Sequence, residues 1–160
     1  MLESRRVDAE TDRGYALSVT SYRQHPIVNR VESFILLHEM CEKGDRVLLT
    51  CSGGPDSTAM LDIMRELTRE LGIEIGVLSI DHGQHAGSDN ALRSVQKRCK
   101  RWRIPFIGHT LRGGDLPEGA SEAQMRHVRY QIFSDVAHRE GYRRVATGHT
   151  RNDQVETILM

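Results

Sequence analysis

Short apolar runs alternate along the chain with longer amphipathic segments. Four runs of consecutive apolar residues predict buried strands at 46–51, 73–80, 104–111 and 143–148. The segments around them repeat apolar residues at spacings of three and four, which predicts helices. These helices are expected at 27–42, 57–71, 88–102, 120–140 and 152–160. Residues 1–25 are polar with little periodicity, and we expect a flexible N-terminal extension there.

This alternation predicts an α/β fold, a Rossmann-like parallel sheet flanked by helices. In such sheets the ligand binds beyond the carboxyl ends of the strands. Three predicted strands are followed there by polar, chemically capable residues, at 52–57, 81–82 and 148–149. We therefore expect one site at that edge of the sheet.

Composition narrows the class of protein. The 160 residues suffice for one domain, and 22 basic residues balance 22 acidic ones, so whole-chain charge predicts no polyanion partner. The three cysteines are scattered and form no CxxC pair, which fits a reducing compartment. No apolar run approaches the roughly 18 residues of a membrane span. We expect a cytoplasmic protein that does not enter the membrane.

The loop after the first strand has the chemistry of a phosphate site. Gly53 and Gly54 allow the backbone to approach an anion closely, and the next helix offers free N–H groups and a positive dipole end. Ser52 and Ser57 add hydroxyl groups. The lysine of the common nucleotide-binding loop is absent, and Asp56 would repel a polyphosphate unless a cation such as Mg²⁺ lay between them.

Four segments carry a family resemblance. SGGPDS at 52–57 resembles the pyrophosphate loop of the PP-loop ATP pyrophosphatases, an adenine nucleotide alpha hydrolase-like fold. SIDHG at 79–83, EAQMRHVRY at 122–130 and GHTRNDQVET at 148–157 are similar to segments of the tRNA(Ile)-lysidine synthetases, in the same order. The resemblance implies a catalytic PP-loop domain over 26–160 whose C-terminal part is missing.

The resemblance also implies an activity and its partners. The family adenylates the wobble cytidine of a tRNA(Ile) with a CAU anticodon, using ATP and Mg²⁺. L-lysine then displaces AMP. This is an ATP-dependent carbon–nitrogen ligase reaction that also releases pyrophosphate. The oligomeric state stays open, with a homodimer as one option.

Individual residues receive roles from the same resemblance. Asp56 and Asp153 would bind magnesium, and Arg129 and His149 would face the phosphates and the adenylated intermediate. The catalytic set is therefore Asp56, Arg129, His149 and Asp153. ATP and its pyrophosphate would be bound by Ser52, Gly53, Gly54, Pro55, Asp56, Ser57, Ser79 and His82.

Departures from the pattern leave alternatives open. Asn152 stands where many members have a first aspartate, and Thr150 replaces a second histidine. One alternative is a PP-loop enzyme of tRNA 2-thiolation, although such enzymes usually rely on a cysteine pair or cluster. Another is a truncated, non-catalytic ATP-binding module. Arg129 could also pair with an acidic neighbour, and the basic run at 93–103 could be a solvated helix face or a contact to tRNA phosphates.

Overall fold

The computed structural model describes residues 25–81, 88–111 and 119–148. All four predicted strands and the first four predicted helices are present, while the helix predicted at 152–160 lies outside the described residues. The elements follow in the order α1 (Pro26–Leu37), β1 (Arg46–Thr50), α2 (Pro55–Leu71), β2 (Glu74–Asp81), α3 (Ser88–Trp102), β3 (Phe106–Thr110), α4 (Glu122–Glu140) and β4 (Arg144–Thr147).

The four strands form one parallel sheet in the order β3-β2-β1-β4. The chain moves outward from β1 through β2 to β3 and then returns to the other side of β1. The strand order therefore reverses between β1 and β4. In open α/β sheets such a switch point is where a crevice forms beyond the strand ends.

The core has a layer on each face of the sheet, as the predicted α/β fold requires. The right-handed crossovers from β1 to β2 and from β2 to β3 put α2 and α3 on one face of the sheet. The crossover from β3 to β4 runs in the opposite direction along the sheet and therefore puts α4 on the other face. Alternate strand residues point to opposite faces, so Leu49 packs with the first layer and Leu48 with the second. The α4 layer is the smaller one and contains Leu48, Leu78, Phe133, Val136, Ala137 and Tyr142.

Three helix boundaries differ from those predicted by two residues or more, and one of them is the start of α4, which lies at Glu122 and not at residue 120. The first helix ends at Leu37 and not at residue 42, and His38 is its C-cap. The chain then turns through Glu39, which adopts a φ of +49°, so the apolar spacing beyond residue 37 does not continue the helix. The second helix begins at Pro55, two residues before the predicted start. Proline is favoured there because a first-turn N–H has no acceptor within its helix.

Candidate functional site

A cleft of about 100 Å³ opens at the switch point. It lies at the carboxyl edge of the sheet, on the side covered by α4. Its walls come from the ends of β1 and β2, the start of α2, the middle of α4 and the residue after β4. The lining residues are Thr50, Cys51, Ser52, Ser57, Leu78, Ile80, Arg129, Tyr130, Phe133 and Gly148.

The glycine-rich loop folds into a compact, hydrogen-bonded turn. The Ser52 and Ser57 hydroxyls lie 3.3 Å apart, and Ser57 also donates to the Gly54 carbonyl at 3.1 Å. Gly54 is the N-cap of α2 and supplies no side-chain acceptor to the helix. The first-turn amides, including those of Asp56 and Ser57, therefore keep their N–H groups for a ligand. This is the arrangement that binds phosphate oxygens.

Gly53 and Gly148 allow neighbouring elements to close on this loop. Gly53 has a φ of +85°, and a Cβ there would lie 2.8 Å from the Ala91 Cβ of α3. A Cβ on Gly148 would lie 2.8 Å from the Ser57 Cα and 3.0 Å from its amide nitrogen. The end of β4 thus rests directly on the first turn of α2. Sequence reasoning assigned Gly148 no role, because this approach depends on the packing of two distant segments.

Asp56 lies in the first turn of α2 with its side chain exposed to solvent. Within the described residues it makes no hydrogen bond or ion pair, so its carboxylate oxygens are available to a cation. No cluster of three or more His, Cys, Asp or Glu side chains that could hold a metal occurs in the same part of the chain.

Arg129 brings a positive charge into the cleft from α4. It is the one charged side chain among the lining residues in the described part of the chain. Its Nη2 donates to Glu122 Oε1 at 2.9 Å. Arg129 therefore lines the cleft and also pairs with an acidic neighbour, whereas its contact with phosphate stays a prediction.

An aromatic pair extends the wall beside Arg129. The Tyr130 and Phe133 ring centroids lie 5.5 Å apart, and the Arg126 guanidinium lies 5.0 Å from the Tyr130 ring. Tyr130 is 40% exposed. Neither Tyr130 nor Glu122 was assigned a role from sequence. Their positions in the same motif as Arg129 were the only available signal.

Ser79 is buried away from the cleft opening. It is 2% exposed, and its hydroxyl donates to the Cys51 carbonyl at 2.6 Å, which ties β2 to the end of β1. The hydroxyl is therefore occupied, and contact with an adenosine stays a prediction. His82, His149 and Asp153 lie outside the described residues, and so do the roles predicted for them.

Comparison with known proteins identifies the fold of this site. A family model described as a PP-loop domain matches residues 24–160. The chain belongs to the PP-loop domain family. The loop at 52–57 is accordingly called the PP-loop below.

Curated relatives of this PP-loop chain include several proteins named tRNA(Ile)-lysidine synthase. One from Symbiobacterium thermophilum is 36% identical over 138 residues, which are 84% of this chain and 29% of that protein. One from Caldanaerobacter subterraneus is 32% identical over 149 residues, 88% of this chain and 31% of that protein. One from Geobacter sulfurreducens is 36% identical over 138 residues, again 84% and 29%. The chain thus spans about a third or less of the length of these relatives.

A solved structure supports the PP-loop fold. The chain superimposes on a U34-tRNA thiolase from Methanococcus maripaludis with a TM-score of 0.64, over 74% of this chain and 43% of that one. The sequence identity is 17%, so this likeness describes the fold alone. In the part of our chain that the structure describes, no helix has the length and apolar character of a membrane span.

The cysteines lie inside this PP-loop domain. Burial raises the pKa of Cys51, beside the PP-loop, to about 12, and the neighbouring Cys99 contributes to the rise. Burial also raises the pKa of Cys99 to about 11. Both thiols therefore stay protonated at neutral pH, whereas a cysteine acts as a nucleophile or metal ligand only as the thiolate. Cys41 is half-buried, and all three cysteines are free.

Part of the basic run on α3 is already paired. Arg98 Nη1 contacts both carboxylate oxygens of Asp62 on α2, at 2.9 and 3.1 Å. Trp102 is half-buried, with the Arg65 guanidinium 4.4 Å and that of Arg98 5.7 Å from its ring. These contacts fasten α3 to α2, so Arg98 and Trp102 contribute to packing.

Proposed function

We propose that this chain carries the ATP-binding and adenylating domain of a cytoplasmic tRNA(Ile)-lysidine synthase-type ligase. The relatives bearing that name support the substrate class. In this reaction the wobble cytidine of a CAU-anticodon tRNA(Ile) attacks the α-phosphorus of ATP through the oxygen on C2, and pyrophosphate leaves. The lysine ε-amine then attacks C2, loses a proton, and AMP departs with that oxygen.

One observation carries the proposal: the PP-loop, the N-terminus of α2 and Arg129 meet in a single cleft at the switch point. The PP-loop would bind the β- and γ-phosphates through its backbone N–H groups and the Ser52 and Ser57 hydroxyls. Arg129 would face the phosphates from the opposite wall. Its planar fork suits phosphate oxygens, and fixed donors stabilise the charge that develops during displacement at phosphorus.

Asp56 is our candidate magnesium ligand on the PP-loop side. Its exposed carboxylate fits a hard, oxygen-seeking cation, and Asp153 would be the second protein ligand by family resemblance. When bound, Mg²⁺ would neutralise the leaving pyrophosphate. His149 would face the phosphates by the same resemblance. These two residues follow Gly148, which already rests on Ser57 beside the PP-loop.

Radiolabelled AMP formation tests the proposal. The chain is incubated with α-labelled ATP, Mg²⁺, lysine and a CAU-anticodon tRNA(Ile). We expect labelled AMP that depends on both lysine and this tRNA. ATP binding without AMP would favour a non-catalytic binding module, or a domain that needs further chain for tRNA recognition. Adding the remaining domains from a full-length relative would separate these two cases.

Magnesium dependence should rest on Asp56. We expect Asp56→Asn to abolish the magnesium-dependent part of ATP binding while the fold survives, because the side chain is exposed and has no protein partner among the described residues. Titration calorimetry with Mg²⁺ and with EDTA measures the difference. Asp135→Asn, an exposed carboxylate on α4, is the control for loss of charge. Equal magnesium dependence in Asp56→Asn and in the wild type would exclude Asp56 as a ligand.

A further inference from the structure

The guanidinium of Arg129 is held by a carboxylate that the proposed chemistry does not use. Arg129 Nη2 donates to Glu122 Oε1 at 2.9 Å. The arginine side chain is 25% exposed and the glutamate side chain 63% exposed, so the carboxylate lies further out in solvent. This bond occupies one of five guanidinium N–H groups. Four N–H groups remain for a ligand in the cleft.

The start of α4 is built so that Glu122 occupies a fixed place. Ser121 is the N-cap, and its hydroxyl accepts from the Gln124 amide while the Gln124 side chain accepts from the Ser121 amide. Glu122 is thus the first residue of a well-defined first turn. Arg129 lies seven residues later, roughly 10 Å along the axis, and long helical side chains lean toward the N-terminus. The arginine therefore reaches back along α4 to this carboxylate.

We infer that Glu122 is a positioning residue that holds the Arg129 guanidinium in the cleft for a phosphate group. The inference rests on the proposed function, in which a phosphate of ATP binds there. An arginine that rotates freely loses side-chain entropy when it binds a ligand. Glu122 restricts the side chain before the ligand arrives, so less entropy is lost on binding.

If Glu122 acted only through its charge, it would weaken phosphate binding and not strengthen it. Its carboxylate repels phosphate and partly cancels the charge of Arg129, so removing the charge would tighten phosphate binding in any neutral variant. Positioning makes the two neutral variants differ. Glu122→Gln keeps an oxygen that accepts from Arg129, whereas Glu122→Ala keeps none. Their comparison separates the two roles.

Calorimetric titration of the full chain with pyrophosphate and Mg²⁺ makes this comparison. For Glu122→Gln we expect the wild-type affinity within about twofold. For Glu122→Ala we expect about three- to tenfold weaker binding, the entropic cost of immobilising one long side chain when the ligand binds. In an Arg129→Ala background, adding Glu122→Ala should cause no further loss of affinity, because no guanidinium remains to be positioned. Asp135→Asn on the same helix controls for the loss of a negative charge.

Two results would overturn the inference. One is equal or tighter pyrophosphate binding by Glu122→Ala. The other is a further loss of affinity when Glu122→Ala is added to Arg129→Ala, since Glu122 would then act independently of the arginine. Far-ultraviolet circular dichroism of each variant verifies that α4 still forms.

Nitrogen-15 spectra without ligand separate failure of this inference from failure of the proposed function. A held guanidinium gives a resolved, slowly exchanging Arg129 Nη2–H signal, assigned by its loss in Arg129→Ala. We expect the signal in the wild type and in Glu122→Gln, and its loss in Glu122→Ala. If pyrophosphate does not bind but the signals behave in this way, the proposed function fails and the positioning role stands. A signal that persists in Glu122→Ala overturns positioning whether or not pyrophosphate binds.

Discussion

At Gly148, the residue after β4, the chain lies in direct contact with Ser57 in the first turn of α2. A Cβ there would lie 2.8 Å from the Ser57 Cα, which is backbone and cannot rotate away. Any side chain must therefore push β4 away from the PP-loop or strain the first turn of α2. The geometry of the anion site thus depends on Gly148, because the lack of a side chain there lets β4 pack against the PP-loop.

We expect Gly148→Ala to destabilise the protein by about 1–3 kcal/mol, the usual cost of forcing an extra methyl group into a packed site. ATP binding should weaken as well, because the displaced turn presents the phosphate-binding amides. Urea denaturation and calorimetric titration measure the two effects. Gly108→Ala is a matched control in β3, where the added Cβ would lie 3.5 Å from the Phe106 ring, an ordinary contact. Equal urea midpoints for the two variants would contradict the packing argument.

The residue types of the site could be read from the sequence more readily than their contacts. The glycines and serines of residues 52–57 indicated an anion loop because their chemistry is local. The outward-facing carboxylate of Asp56 fits the same local pattern. The buried hydroxyl of Ser79 could not be derived, since its contact depends on segments that meet only after folding. Ser79 reaches the Cys51 carbonyl 28 residues away. An acidic neighbour of Arg129 was expected, and the structure identifies it as Glu122, seven residues earlier on the same helix.

At the scale of elements, helix ends followed by glycine were predicted best. The helices α2 and α4 end at the predicted residues 71 and 140, where Gly72 and Gly141 adopt the left-handed conformation. The α4 start was expected at residue 120, and the capping box of Ser121 places it at Glu122. The α1 end was placed five residues too late, because apolar residues at 40 and 41 continued the helical spacing without being helical. The α2 start was placed too late because Gly54 caps with its backbone alone, which leaves no side-chain signal.

The capping box should matter to both stability and the site, because α4 carries Arg129. We expect Ser121→Ala to cost about 1 kcal/mol of unfolding free energy, a typical value for a lost N-cap. It should also weaken the effect of Glu122 on Arg129, since Glu122 sits in the first turn that the cap defines. Thermal unfolding and the Arg129 nitrogen-15 signal report the two changes. Ser134→Ala, at an exposed position inside α4, should leave both unchanged within about 0.5 kcal/mol.

At the scale of the whole molecule, the fold class followed from the alternation of elements, but the strand order did not. Pairing of β1 with both β2 and β4 depends on contacts between residues about 30 and 100 positions apart, such as Leu49 with Val77 and Leu48 with Val145. Local periodicity carries no information on such pairs. It predicted a site at the carboxyl edge, and only the strand order locates the switch point between β1 and β4.

The opposite edge of the sheet is held by a buried carboxylate that no sequence pattern singled out. Asp45 precedes β1 and is 4% exposed. Its Oδ2 accepts from the Glu42 amide at 2.9 Å. Its two oxygens also contact Arg143 at 3.2 Å and Arg144 at 3.4 Å, at the start of β4. One side chain therefore joins the turn before β1 to the start of β4, the two strands that flank the switch point.

This network makes the stability of the molecule depend on pH in a predictable direction. The hydrogen bond from the Glu42 amide, with the charges of Arg143 and Arg144, holds the pKa of Asp45 below its usual value despite burial. A lowered pKa in the folded state means that the ionised carboxylate stabilises the fold above the unfolded pKa of about 3.9. That contribution is lost as the pH falls through the lower, folded-state pKa.

Asp45→Asn should remove this contribution without removing the hydrogen-bond acceptor. We expect the variant to be less stable than the wild type at neutral pH. The difference should shrink as the pH falls from about 4, the unfolded pKa, toward the lower pKa of the folded carboxylate. Urea midpoints measured across this range give the difference directly. Asp135→Asn, an exposed carboxylate without a partner among the described residues, should show little difference at any pH. If the difference in urea midpoint between Asp45→Asn and the wild type stayed constant down to low pH, Asp45 would act through its shape and not its charge. The link from β1 to β4 would then be one of packing, and acid should not loosen the switch point.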